Sequence, residues 1–223
     1  MFNHLRHLII AGALLAPFVP AHAGAIIDPA GDFLPTFTGT PTGEVDIVSA
    51  SVVRRATGFE FLVTANGAVG TTPGVLYVWG INRGAGTPRL SFGTPSIGAG
   101  INFDAVFVMF SNGDARVAAF PAAGPPAITN LPGALSLNGN NISGFASLSL
   151  LPSRGFAVED YSFSLWTRQR ANPLLDGTNV EIADFLGAGG FTASVPEPSS
   201  WAMLLAGFAG VGLAARRKRL ARI

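Results

Sequence analysis

The chain has 223 residues, of which only 12% are charged, while 28 are glycine and 16 are proline. This length suffices for one domain plus targeting segments, and the many turn-forming residues predict short elements joined by tight turns. Cysteine is absent, which excludes disulfide bonds, thiolate metal sites and a thiol nucleophile.

Residues 1–23 have the parts of a secretory signal peptide. Arg6 precedes an apolar run at 8–19, and Ala21-His22-Ala23 supplies a small-x-small cleavage site. The alternative is an N-terminal membrane anchor, but this run is shorter than the roughly 17 to 25 residues that a spanning helix needs. We therefore expect a signal helix that passes through the Sec translocon and is cut by signal peptidase after Ala23.

Between the two ends, residues 24–194 carry eight arginines and twelve acids, which gives a net charge of −4. This mildly acidic balance argues against a nucleic-acid binder, which needs a basic patch. All three histidines lie in 1–23, and the only lysine is Lys218. The region therefore lacks the imidazole that Ser-His-Asp and Cys-His systems and histidine-based metal sites require.

Alternating apolar and polar residues in 24–194 predict strands. Phe59, Phe61 and Val63 alternate with polar or outward positions, and Asn112-Gly113 is a strong hairpin signal between two apolar runs. Strands are expected at 47–53, 59–65, 75–81, 103–110, 116–120, 142–150, 158–166 and 180–183, with surface loops at 84–100 and 122–133. Many short strands with Gly/Pro turns predict an all-β protein built as an antiparallel, jelly-roll-like β-sandwich.

The start of this region carries a resemblance of its own. The run DPAGD at 28–32, the run GEVDI at 43–47 and the alternating strand at 59–63 together are similar to the opening of DOMON-like and family 9-like carbohydrate-binding β-sandwiches. The resemblance implies a carbohydrate-binding module as one function to consider.

The chemistry open to 24–194 rests on carboxylates, hydroxyls and arginine. Calcium accepts carboxylate oxygens without imidazole or thiolate, and Asp28, Asp32, Glu44 and Asp46 could converge on one loop cluster. Their spacing matches no EF-hand loop, and the alternative is that the aspartates form side-chain turns in a surface loop. No other cofactor is expected.

Aromatic residues and further acids offer two other kinds of site. Trp79 and Trp166 could stack on sugar rings, although aromatic residues in strands more often belong to a core; the neighbouring candidates are Tyr77, Tyr161, Arg83 and Arg168. A glycoside hydrolase needs two carboxylates, and the candidates are Glu60, Glu159, Asp160, Glu181 and Asp184.

The C-terminal segment 195–223 has three parts. A proline-containing motif at 195–200 ends the domain, because two nearby prolines stop helices and central strands. An apolar run at 201–215 follows, and a basic end at 216–223 predicts a transmembrane helix with its basic side in the cytoplasm. A buried terminal helix is the alternative. The motif residues are Val195, Pro196, Glu197, Pro198 and Ser199, and the membrane-stop cluster is Arg216, Arg217, Lys218 and Arg219.

These three parts, in this order, resemble the PEP-CTERM sorting signal of Gram-negative bacteria. The resemblance implies recognition by exosortase, a membrane protease, with transient anchoring in the inner membrane and delivery to the cell surface or matrix. The function expected is that of a non-enzymatic envelope or extracellular-matrix protein, associated with exopolysaccharide or biofilm. The alternatives are a carbohydrate-binding module and a carboxylate-dependent glycoside hydrolase.

Overall fold

The computed structural model describes residues 25–88, 98, 100–170, 179–194 and 208–209. Thirteen strands are named in these ranges, together with the 3-10 turns Val158–Asp160 and Asn179–Glu181. The strands are β1 Ile26–Ile27, β2 Ile47–Arg55, β3 Gly58–Ala65, β4 Val75–Asn82, β5 Thr87–Pro88, β6 Asn102–Phe103, β7 Ala105–Phe110, β8 Ala115–Ala119, β9 Ala127–Leu131, β10 Leu135–Asn138, β11 Asn141–Ser147, β12 Ser162–Gln169 and β13 Ile182–Thr192.

The strands form two large sheets and one small one. The five-stranded sheet has the order β1-β2-β3-β11-β10, the six-stranded sheet has the order β13-β12-β4-β7-β8-β9, and β5 pairs with β6. Every pairing between these strands is antiparallel. The prediction of an all-β protein with antiparallel sheets is confirmed.

The main core lies between the inner faces of the two large sheets. Phe61 of β3 contacts Trp79 of β4 and Phe107 of β7, with ring centroids 5.1 and 4.9 Å apart. Phe59 meets Phe163 of β12 at 5.1 Å. Phe59, Phe61 and Val63 are all fully buried, so the period-2 pattern of β3 identified its inner face correctly.

Strand β4 is apolar at nearly every position and does not alternate between apolar and polar residues. It lies between β12 and β7 in the interior of the six-stranded sheet, and every residue from Val75 to Ile81 is buried. A strand covered on both faces gains from an apolar side chain at every position. The strand predicted at 75–81 is therefore present, and it is buried on both faces of the sheet.

The predicted hairpin is also present. Strands β7 and β8 pair antiparallel, and Gly113 between them has φ of 96°. An L-residue with a side chain rarely adopts this backbone conformation, whereas glycine does so without a Cβ clash. Asn112 Oδ1 accepts a bond from the Asp114 amide at 3.1 Å, which closes the turn.

Some element bounds were predicted wrongly. Residues 122–133 include β9, which pairs with β8 along its whole length. Four of its five residues are exposed, and such an edge strand shows little of the alternation that marks a half-buried strand. Residues 158–160 form a 3-10 turn before β12, and the last strand extends to Thr192. Much of 84–100 lies outside the described residues.

The two helices predicted at the ends of the chain fall largely outside the described residues. Residues 1–23 lie outside the described residues, and of 201–215 only Phe208 and Ala209 are described, with helical backbone. Within the described part of the chain, no helix has both the length and the apolar character needed to cross a membrane.

Candidate functional site

Three carboxylates from distant parts of the chain meet beside the start of β13. Asp28 and Asp32 flank the turn after β1, and Asp184 belongs to β13. One oxygen from each lies within 4.8 Å of the others. The cluster of Asp28, Asp32 and Asp184 is called the carboxylate cluster below.

The N-terminal loop is the segment 28–46 between β1 and β2. Backbone hydrogen bonds hold this loop against the start of β13 in the six-stranded sheet. The Leu34 amide donates to the Ala183 carbonyl at 2.8 Å, and the Thr38 amide donates to the Val180 carbonyl at 3.0 Å. The Asp28 amide donates to Val48 at 3.1 Å, which fixes the other end of the turn on β2. The carboxylate cluster is therefore held by backbone contacts to both large sheets.

Asp184 is almost fully enclosed, with 2% of its surface exposed. Its Oδ2 accepts a bond from the Ile47 amide at 2.7 Å, and its Oδ1 accepts one from the Phe185 amide at 2.6 Å. Burial raises the pKa of Asp184 to about 7, with the charges of Asp28 and Asp32 adding to the shift against those two hydrogen bonds. The native fold thus favours the protonated acid at neutral pH or a nearby cation.

Asp28 is less buried than Asp184, but one of its carboxylate oxygens lacks the hydrogen-bond donors that Asp184 has. Its Oδ2 is shielded from solvent and accepts no hydrogen bond. Burial, followed by the charges of Asp32 and Asp46, raises the pKa of Asp28 to about 6. A buried polar atom without a partner is rare in native proteins and calls for a specific explanation, such as a bound ion or water.

The other two acids of the calcium prediction have different surroundings. Asp46 lies beside the cluster, but its oxygens accept bonds from the Gly31 amide at 3.1 and 3.0 Å and from Asn66 Nδ2 at 2.9 Å. It closes the turn that carries Asp28 and Asp32. Asp46 thus holds this turn in place, and its charge contributes to the field at Asp28.

Glu44 faces another loop altogether. Its carboxylate accepts bonds from the amides of Gly70, Thr71 and Thr72 at 2.6, 2.8 and 2.5 Å. The prediction that Glu44 would join the aspartates is therefore wrong, because these donors already occupy its oxygens. The local sequence did not reveal Asp184 as the third cluster member, since it follows Asp32 by about 150 residues and meets it only through sheet packing.

The predicted pair of sugar-stacking tryptophans is not an exposed pair. Trp79 is fully buried in the main core, and its Nε1 donates to Met109 Sδ at 3.2 Å. Trp166 pairs with Val78, the neighbour of Trp79, so the two indoles lie on opposite faces of the sheet. Trp166 is 2% exposed, and its ring stacks on Phe185 at 5.8 Å. This prediction therefore needs correction, since neither tryptophan offers a free ring face.

The remaining aromatic and arginine candidates have structural partners. Tyr77 Oη donates to the Glu44 carbonyl at 2.9 Å, and Tyr161 Oη donates to the Leu151 carbonyl at 3.1 Å. Arg83 is 1% exposed, and its Nε donates to Asp104 Oδ1 at 2.7 Å. These groups stabilise the core and the loop after β4, and they do not form the rim of a sugar site.

The acids considered for glycoside hydrolysis are dispersed. Glu60 pairs with Arg55 on the surface, and Glu159 pairs with Arg54 at 3.1 Å. Glu181 pairs with Arg168 and lies 3.9 Å from Arg170. Asp184 has carboxylate neighbours, but its burial keeps it from the hydrogen-bond reach of a substrate that a general acid requires.

Comparison with known proteins identifies the C-terminal segment. Residues 194–219 match the family model of the PEP-CTERM protein-sorting motif. No curated protein matches the chain. The match includes the motif at 195–199 and the basic cluster at 216–219, so the resemblance seen in the sequence is confirmed. Such a motif implies export, membrane-anchored transit before release at the surface, and exosortase as the processing partner.

Proposed function

We propose that the chain is a non-enzymatic protein of the cell surface or extracellular matrix, delivered by exosortase and associated there with exopolysaccharide or biofilm. The observation that carries the proposal is the sorting-motif match at 194–219. The delivered part is a β-sandwich formed by the two packed sheets. This part would associate with the exopolysaccharide or biofilm, and the sorting tail determines where in the cell envelope or matrix it is delivered.

The position of the motif relative to the fold supports separate roles for the sandwich and the sorting tail. The Ser194 amide donates to the Val52 carbonyl at 2.8 Å, and the Ser194 carbonyl accepts from the Arg54 amide at 2.8 Å. The last residue of the sandwich is thus tied to β2, and the matched segment begins at that residue. Cleavage beyond Ser194 would leave intact every strand that the structure describes.

In the proposed route, the signal peptide exports residue 24 onward, and the apolar run at 201–215 halts transfer in the inner membrane of a Gram-negative cell. The basic end stays in the cytoplasm, because each charge costs about 2.5 to 3.5 kcal/mol to place at the bilayer centre on insertion scales. Pro196 and Pro198 then keep the segment at the outer membrane boundary extended, which suits a protease site.

The absence of histidine, cysteine and lysine from 24–194 supports a non-enzymatic role. Nucleophile systems of the Ser-His-Asp and Cys-His types lack their base in this region. Carboxylate chemistry would need an acid that can contact substrate, and Asp184, which belongs to the cluster of three carboxylates among the described residues, is 2% exposed.

A second candidate property is calcium binding at the carboxylate cluster. The observation that favours it is the shielded Asp28 Oδ2, which has no hydrogen-bond partner and belongs to a cluster of three carboxylates. Calcium prefers such hard oxygen ligands, and its charge would favour the ionised acids. Asp28, Asp32 and Asp184 would bind the ion, which would join the N-terminal loop to β13 as a structural cofactor.

The sorting proposal is tested by replacing Pro196, Glu197 and Pro198 with alanine in a host that has exosortase. The wild-type surface protein should have an intact mass that lacks the basic cluster, whereas the triple variant should accumulate at full length in the membrane fraction. Replacing the exposed residues Pro121, Pro125 and Glu159 with alanine makes the same three residue changes away from the tail. This control should be processed normally. Wild-type surface protein that retains Arg222 would show that the tail is a plain anchor.

A further inference from the structure

A polar cavity opens on the outer face of the six-stranded sheet, where β4 ends and β12 begins. Phe163 and Leu165 of β12 enter the main core, so the alternate residues Ser162 and Ser164 lie on the outer face. The cavity has a volume of about 250 Å³, a little below the range of about 300 to 1,000 Å³ for drug-sized ligands. It therefore has room for a ligand of one ring. Its lining includes the side chains of Asn82, Asn102, Phe156, Asp160, Ser162 and Ser164.

Asn82 lines this polar cavity with an amide whose orientation is fixed. Its Oδ1 accepts bonds from the amides of Gly84 and Gly86, both at 3.0 Å. A reversed side chain would set its NH₂ group against these two donors, so the network assigns the oxygen to this end. Asn82 Nδ2 has no acceptor within the described part of the chain. The nitrogen is therefore available to donate to a ligand oxygen.

Ser164 contributes a hydroxyl at a place where the strand pairing is interrupted. Ser164 is 3% exposed, yet its Oγ has no hydrogen-bond partner among the residues that the structure describes. Between two paired positions, β12 has this one residue, whereas β13 has the four residues 187–190. Such bulges are common next to functional sites, and a buried polar group without a partner calls for an explanation. A hydroxyl-bearing ligand would supply the missing partner.

Phe156 gives the cavity an exposed aromatic side chain. It is 39% exposed, unlike the two buried tryptophans of the main domain. The amides of Arg154 and Phe156 donate to the Arg83 carbonyl at 2.9 and 3.1 Å, which fixes this loop at the end of β4. An aromatic ring offers apolar area to the C–H groups of a sugar ring, while amide and hydroxyl groups bond its oxygens.

The charge of the cavity limits which sugar it can take. Asp160 is the only charged side chain among the described residues that line it. A uronic acid would bring a second negative charge close to this carboxylate, which is unfavourable. Glycoside hydrolysis needs two carboxylates, so one acid supports binding without cleavage.

We infer that the polar cavity binds a neutral hexose unit of a polysaccharide. Asn82 and Asn102 would donate to the hydroxyl groups of the sugar, Ser164 and Asp160 would accept from them, and Phe156 would cover one face of the ring. This inference rests on the proposed association with exopolysaccharide and assigns that association to one site. It does not depend on where the tail is cut.

The test uses the full chain in nanodiscs of zwitterionic lipid, with empty nanodiscs as the blank. The probes are the methyl glycosides of glucose, galactose and mannose, and saturation-transfer NMR titrations measure their dissociation constants. At least one of the three should bind saturably. The uronate that corresponds to the best binder should bind about tenfold more weakly because of Asp160. Cyclohexanol, which has a six-membered ring with one hydroxyl, should not bind.

Matched double variants test the amide donors. N82D keeps an acceptor for the amides of Gly84 and Gly86 and replaces the free NH₂ group by an oxygen. Together with N102D it should weaken binding of the best methyl glycoside at least about tenfold. N138D with N140D makes the same changes at exposed positions of the β10–β11 hairpin and should change the affinity less than about twofold. Thermal unfolding of each variant checks the fold.

A second matched pair tests the aromatic contact without altering any hydrogen bond of a side chain. F156A should weaken binding about tenfold. F145A removes a ring that is 41% exposed on the five-stranded sheet and should leave the affinity within about twofold. The inference is overturned if no methyl hexoside binds, if the uronate or cyclohexanol binds equally well, or if the cavity variants and their controls have equal affinities.

Co-sedimentation with isolated exopolysaccharide of the host separates this inference from the proposed function. Wild-type protein should co-sediment, and N82D with N102D should do so less. Co-sedimentation without binding of any methyl hexoside would overturn the hexose site and leave the matrix association standing. Binding of a methyl hexoside without co-sedimentation would contradict the matrix association and leave the hexose site standing.

Discussion

Glu44 and Asp184 are both buried acids beside the N-terminal loop, yet their surroundings are opposite. Glu44 is 1% exposed and accepts bonds from three consecutive amides, so its charge is satisfied by the loop that it closes. Asp184 has two amide donors but faces Asp28 and Asp32. Buried Glu44 therefore stabilises a loop, whereas buried Asp184 lies among carboxylates that disfavour its ionised form. The balance between hydrogen-bond donors and nearby negative charges decides which of these effects a buried acid has.

The largest expected effect comes from removing the Glu44 carboxylate. In E44A the amide of Thr72, a buried residue, loses its acceptor, while water can reach those of the exposed Gly70 and Thr71. We expect a loss of about 3 kcal/mol in the free energy of unfolding. E44Q keeps one acceptor oxygen and should lose less.

Chemical denaturation measures both variants, with E159Q as the control on an acid whose side chain is 58% exposed. Equal stability of E44A and wild type would show that the amides of residues 70–72 do not depend on Glu44.

The next effect is a pH dependence that Asp184 causes. The pKa of this acid is about 7 in the native state against 3.8 as the ordinary value, so the native protein keeps the proton after the unfolded chain has lost it. Stability should therefore fall as pH rises from about 4 to 7 and level off above that. D184N keeps an acceptor for the Ile47 amide and removes the titration.

We expect D184N to lose at least about 2 kcal/mol less than wild type between pH 4 and 8, because the pKa shift from 3.8 to about 7 is about three units and each unit corresponds to about 1.4 kcal/mol. Unfolding curves across this pH range measure the difference. A wild-type stability that rises over the interval would contradict the proposed protonation of Asp184, and D114N on an exposed hairpin turn serves as the control.

The smallest effect expected is that of calcium on the same cluster. At pH 8 Asp28 and Asp184 are ionised, and calcium at 10 times its dissociation constant should add about 1.4 kcal/mol of stability. At pH 5 protons occupy Asp28 and Asp184, so the gain should shrink. Thermal unfolding with calcium, with magnesium and with chelator provides the measurement.

D32N serves as the cluster variant in this test because Asp32 is exposed and its replacement leaves the buried hydrogen bonds in place. It should reduce the calcium gain, while D114N should not. A gain that persists in D32N, or one that magnesium gives equally, would mean that the cluster of Asp28, Asp32 and Asp184 is not a calcium site.

The sequence by itself determined the features that depend on neighbours along the chain. Alternation in β3 identified the inward positions of Phe59 and Phe61, and Asn112-Gly113 identified the β7–β8 turn, because side-chain direction and turn geometry are local properties. The sorting motif was equally recognisable from the sequence, because its proline-containing motif, apolar run and basic end follow one another directly. The edge strand β9 was missed because exposure on both faces removes the alternation.

Only the tertiary structure decided what depends on partners far along the chain. Strand β13 brings Asp184 to Asp28 and Asp32. The pairing of β12 with β4 puts Trp166 on the outer face of the six-stranded sheet, while Trp79 enters the main core. Glu44 and Asp46 are two residues apart, yet loop packing gives them different donors. The physical reason is that strand periodicity fixes which residues share a face, whereas burial and long-range strand pairing fix what that face meets.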